Sequence, residues 1–116
     1  MIRRKEECKT EYREKMRGGN GTAMVTSLIS GPEELNGKGR LFSRITLNPG
    51  SSIGYHIHEK DAELFYFLNG TGVYSDNGTD VEVRTGDAAI CETGHGHSIT
   101  NTGEDVLEFV AVIVYA

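Results

Sequence analysis

From Thr22 onward, short runs of β-branched and aromatic residues alternate with Gly, Asn and Asp, and no window sustains the 3.6-residue apolar period of an amphipathic helix. Nine strands are predicted: Thr22 to Ile29, Arg40 to Leu47, Ile53 to Glu59, Ala62 to Leu68, Val73 to Ser75, Asp80 to Arg84, Ala88 to Cys91, His97 to Asn101 and Val106 to Tyr115. Asn48-Pro49-Gly50, Asn69-Gly70, Asn77-Gly78, Gly86-Asp87 and Gly103-Glu104 punctuate them, residues that reach positive φ or fix a turn at little cost. So many short strands in so short a chain must close on themselves or stack as two sheets, since an open sheet leaves its edges bare. The pattern therefore predicts an all-β body: barrel, sandwich or jelly roll. The last run is apolar on both parities beyond Glu108, as in a strand covered on both faces, and a subunit interface is one source of that cover.

Residues 1–17 read differently. Glu alternates with Lys and Arg, and Glu7/Glu11 and Glu11/Lys15 fall at the i,i+4 spacing that supports a solvated helix. A second reading, a basic arm for an acidic partner, is weakened by four glutamates among the seven basic residues. Gly18-Gly19-Asn20-Gly21 then breaks the segment. That tract lacks the Lys-Ser/Thr of a phosphate loop and a preceding strand, so it has no phosphate-binding role. The expected organisation is an N-terminal extension over 1–21 and one β domain over 22–116.

Composition narrows the classes. With 116 residues, 37% hydrophobic and 25% charged, the chain has the balance of one globular domain. Net charge is −5, and beyond residue 17 only five Lys/Arg stand against thirteen acidic residues, which argues against nucleic acid as a partner. The longest apolar run is far short of the roughly 20 residues of a membrane helix, and the charged start is followed by no apolar leader. Cys8 and Cys91 match no C-x-x-C spacing and read as reduced thiols, so the expected location is the cytoplasm, with no membrane partner.

Candidate chemistry concentrates in two stretches. The first is Gly50, five residues, His56-Ile57-His58, four residues, Glu63, six residues, Gly70; the second is Gly86, seven residues, Gly94, two residues, His97, three residues, Asn101. On a strand, side chains at i and i+2 share a face about 6.6 Å apart, so His56 and His58 converge on one volume. Glu63 follows across a short turn and can face the same interior from the neighbouring strand, and His97 arrives from a distant one. Three neutral imidazoles and a carboxylate suit a divalent transition metal, and on an ion taking five or six ligands they leave positions for water or substrate.

These stretches resemble the two motifs of the cupin superfamily, G-x5-H-x-H-x3or4-E-x6-G and G-x5-P-x-G-x2-H-x3-N. Every defining position of the first is matched, and in the second only the proline position departs, holding Glu92. The resemblance runs from Arg40 to Ala116. It implies a double-stranded β-helix, a jelly-roll barrel, frequently as a homodimer, with His56, His58, Glu63 and His97 holding one divalent ion: manganese, iron, zinc, nickel or copper.

Around that site, parity places Phe65 and Phe67 beside Glu63, and Ile99 beside His97, as pocket walls or core filling. Arg44 is the candidate cation for an anionic substrate. His95, Tyr55 and Glu59 are the candidate proton-transfer groups. The first functional reading is a small metallo-enzyme acting on a sugar-like or carboxylic or keto acid substrate, of isomerase, decarboxylase or dioxygenase type. The second is a metal-dependent binding or sensing module for a small molecule such as a sugar, which needs no proton-transfer group.

Overall fold

In the structure, a computed structural model describing residues 1–116, ten strands form two antiparallel sheets. In chain order they are β1 (Thr10–Glu14), β2 (Thr22–Ile29), β3 (Gly39–Leu47), β4 (Ser52–Ile57), β5 (Asp61–Asn69), β6 (Thr71–Asp76), β7 (Thr79–Arg84), β8 (Ala88–Cys91), β9 (Gly96–Asn101) and β10 (Leu107–Tyr115). One sheet runs β1-β2-β3-β10-β5-β8 and the other β4-β9-β6-β7. This is the double-stranded β-helix that the alternating pattern and the two motifs lead one to expect. All nine predicted strands are present, with ends shifted by at most two residues. Asn77 and Gly78 both take positive φ (49° and 99°), as the tight β6–β7 hairpin requires.

The residues 1–17 expectation is corrected. They hold no helix of that length, only single 3-10 turns at Lys5–Glu7 and Met16–Gly18, with β1 between them. β1 pairs with β2 from Thr10↔Thr26 to Glu14↔Thr22, so the segment extends the larger sheet. Glu11 and Arg13, two residues apart, share one face of the strand and form an ion pair at 2.8 Å. The Thr10 and Thr26 hydroxyls bond across the pair at 2.7 Å.

Alternation of side chains sets the core. From the larger sheet Ala23, Val25, Ile45, Leu47, Phe65, Phe67, Leu107, Phe109 and Ala111 point inward, and Ile53, Tyr74, Val83 and Ile99 meet them from the smaller one. Phe65 stacks on Phe109 at 4.4 Å between ring centres and lies 5.2 Å from the ring of His97, so the apolar core runs up to the imidazoles.

Candidate metal centre

His56 stands on β4, His58 one residue past its end, Glu63 on β5 and His97 on β9. His56 and His97 are direct register partners, whereas Glu63 reaches in from the opposite sheet. β4 carries one extra residue between Ile53 and His56 relative to β9. That bulge lets both Ile53 and His56 face inward despite their odd spacing. The four ligand atoms lie within 4.8 Å of one another. His97 Nε2 is 3.2 Å from the Nε2 of both His56 and His58 and 3.0 Å from Glu63 Oε1. His58 Nε2 lies 3.1 Å from Glu63 Oε1, and His56 Nε2 is 4.0 Å from it.

Each ring is oriented from behind. The Nδ1–H of His56 donates to the Gly54 carbonyl at 2.7 Å, and that of His58 donates to Asp61 Oδ1 at 2.6 Å. Both partners can only accept, so each ring, when neutral, turns a bare Nε2 lone pair inward. The Tyr74 hydroxyl sits 2.9 Å from His97 Nδ1. Asp61 is itself held by Arg40 Nε at 2.9 Å. Such outer partners fix ring direction and tautomer in metal sites. Asp61 and Tyr74 have no role in the sequence reading; the signal available for Asp61 was its place three residues after His58.

The electrostatics follow. Burial pushes the Glu63 carboxyl up, but hydrogen bonds with His58 and His97 win and hold it at about 2. Burial likewise opposes ionisation of Asp61, and His58 and Arg40 bring it below its ordinary value. The bond to Glu63 raises His58 against burial, whereas burial lowers His56, helped by the neighbouring His97 and Arg17 charges. Three inward nitrogens and one ionised oxygen in a nearly dry cluster form a donor set that fits a divalent cation.

The cluster floors a cavity of about 60 Å³ whose walls include Phe65, Ile99, Ile53, Met16, Arg13, Arg17 and Arg40. Phe65 and Ile99 line it and also belong to the core. Phe67 does not line it; it is fully buried in the core behind Phe65. Arg44 is also elsewhere, for inward Ser43 and Ile45 flank it and turn it to the outer face of the larger sheet, where its buried Nε has no partner. The cavity's cations come instead from β1, the turn after it, and the start of β3. There a register shift against β10 near Arg40 accompanies its inward turn to Asp61.

Tyr55, Glu59 and His95 line no part of the cavity. Tyr55 is half exposed and packs its ring over Gly96, where a Cβ would collide with it. Glu59 is exposed in the β4–β5 turn, and His95 is exposed beside Glu92 at 4.0 Å. Glu92, in the motif's proline position, sits in a turn fixed by backbone bonds: His95 N–H to Glu92 O at 2.9 Å, Gly94 N–H to His58 O at 2.6 Å, and His58 N–H to His95 O at 3.0 Å. The ligand strand is positioned without the ring. Cys91, opposite Glu63 on β8, is buried, which raises its thiol to about 11 and leaves it unreactive.

A jelly roll whose two sheets bring three imidazoles and a carboxylate together defines a class, a small β-helix built around a candidate metal centre. The chain matches the cupin domain over residues 43–113 and belongs to that family. It is 46% identical over 114 residues to the Oxalate-binding protein of Thermotoga maritima, covering 98% of this chain and 93% of that one. A solved Thermotoga maritima structure, described as a predicted oxalate decarboxylase, matches at 45% identity and TM-score 0.95 over the whole of both chains. The polyketide cyclase RemF of Streptomyces resistomycificus, at 23% identity and TM-score 0.73 over 98% of this chain and 80% of that one, shares the fold. No helix is long and apolar enough to cross a membrane.

Proposed function

We propose that the protein binds one divalent transition metal through His56, His58, Glu63 and His97, and on it a small carboxylate of the oxalate type, without turnover. The observation that carries the reading is the donor set: three Nε2 atoms and one carboxylate oxygen, four of their separations between 3.0 and 3.2 Å and one at 4.0 Å. On an ion that takes five or six ligands, three imidazoles and one carboxylate leave open positions. When bound, such an ion supplies a Lewis acid on which a carboxylate can chelate.

Two observations support this ligand and this outcome. A cavity of about 60 Å³ is small and suits a short acid better than a sugar. The similarity to an oxalate-binding protein agrees with that size. Tyr55, Glu59 and His95 lie outside the cavity, and beyond the ligands and the arginines its one polar lining residue is Ser98, whose hydroxyl is a poor acid and base near neutral pH. That favours capture over catalysis. The free thiols of Cys8 and Cys91 accord with a reducing, cytoplasmic setting. Calorimetric titration of the metal-loaded protein with oxalate, followed by assay of formate and carbon dioxide, is expected to show binding and intact oxalate; steady oxalate consumption would contradict the binding reading.

A second copy of the chain is the proposed cover for the outer face of the larger sheet. Leu64, Tyr66, Leu68, Ile90 and Val114 are 38–52% exposed there, around the half-buried Val110 and Val112. Arg44, with its unpartnered buried Nε, and the half-buried Glu108 share this face, so a two-fold axis through it can pair each with its opposite on the other copy.

A further inference from the structure

The cavity mouth carries three arginines, and they are not equivalent. Arg40 is engaged by Asp61 at 2.9 Å and Arg13 by Glu11 at 2.8 Å, whereas the Arg17 side chain has no hydrogen-bond or ion-pair partner. Its backbone is held in a conformation that side chains avoid: Lys15 and Arg17 both lie in the left-handed region, with φ of 48° and 55°. Non-glycine residues there persist only where the surroundings impose them, and such outliers gather at functional sites.

The surroundings are on view. Met16, between the two, packs on the core, and Gly19 and Gly54 bring the turn and β4 into backbone contact. A Cβ on Gly54 would collide with the Arg17 carbonyl oxygen, and one on Gly19 with the Ser52 carbonyl oxygen. The turn is thus clamped on the strand that carries His56, and it sets an uncommitted guanidinium at the cavity wall.

We propose that Arg17 is the anion-selecting residue of this cavity, positioned by the clamped turn to grip the carboxylate oxygens that a small dicarboxylate dianion turns away from the metal. The inference rests on the metal-and-carboxylate reading above and adds the charge class of the ligand. A divalent ion with the Glu63 carboxylate has one net positive charge, and Arg17 adds a second. Two negative charges on the ligand balance them; a monoanion such as glyoxylate leaves one unmet. The forked guanidinium also matches a carboxylate edge.

Arg17→Gly tests this cleanly, because glycine adopts the same φ without strain and the fold is kept or firmed. Wild type and variant are loaded with manganese, freed of excess metal, checked for metal content, and titrated calorimetrically with oxalate and with glyoxylate. Expected are equal metal contents and melting temperatures at or above wild type, an oxalate affinity lowered roughly 10- to 100-fold in the variant, and a smaller loss for glyoxylate. Equal oxalate affinity in the two proteins would overturn the role of Arg17 and leave the metal-and-carboxylate reading standing. Failure of the loaded wild type to bind oxalate would overturn both.

Discussion

At the scale of single residues, the site works by opposing tendencies that nearly cancel. Glu63 is buried, which alone would neutralise it, yet two imidazoles keep it ionised, with its carboxyl held at about 2. His58 gains from the same contact, so its imidazolium is favoured and its pKa rises. The sign for stability follows from that shift. In the metal-free protein a raised His58 adds stability that is fully present below the ordinary imidazole value and is lost as pH rises through the folded one. Metal needs the imidazole neutral, so its contribution runs the other way. The melting temperature of loaded protein should exceed that of metal-free protein at about pH 7.5, and the gap should close towards about pH 5.5. A gap that stays constant over this range would exclude histidine ligation.

The four ligands are legible in the sequence because each is a rare, chemically distinctive type at a strand-compatible spacing. Their supports are not. Asp61 and Tyr74 act through geometry that only the folded chain has, one across the turn from His58 and the other on the strand beside His97. Arg44 shows the limit of parity: alternation places it opposite Ile45, and which face is inside depends on the neighbouring residues, Ser43 and Ile45, being buried.

At the scale of elements, strand existence follows from periodicity and turn chemistry, and boundaries follow less well. β1 escapes because its five residues are all exposed and bury no apolar stripe. Its stability comes from pairing with β2, so its charges carry the i,i+4 spacing of a helix while Thr10 and Tyr12 alternate with Glu11 and Arg13. The bulge in β4 is equally silent, since an extra residue is visible only against the partner register. Gly54 sits within it and admits the turn after β1. Gly54→Ala should therefore drive the two backbones apart at a cost of about 1–3 kcal/mol, read as a lower denaturant midpoint. An unchanged midpoint would show that the clamp carries no strain.

At the scale of the molecule, the jelly roll sets a dry floor of histidines between two sheets and a basic rim made largely by the N-terminal strand and turn. The segment whose charges read as a solvated helix thus supplies Arg13 and Arg17 to the cavity wall. Its other broad face, the outer side of the larger sheet, is apolar around an unsatisfied arginine. Tyr66→Glu should convert a dimer to a monomer in sedimentation equilibrium, because a carboxylate at the centre of that face would be buried without a partner. A wild type that sediments as a monomer at high micromolar concentration would contradict the proposed pairing.

The central claim is the metal itself. Elemental mass spectrometry of untagged protein purified without chelator, beside His58→Ala, tests it most directly. The account predicts near-stoichiometric manganese, iron or another divalent transition metal in the wild type and its loss in the variant. Metal absent from both proteins, even after incubation with manganese, iron, zinc, nickel and copper in turn, would contradict it.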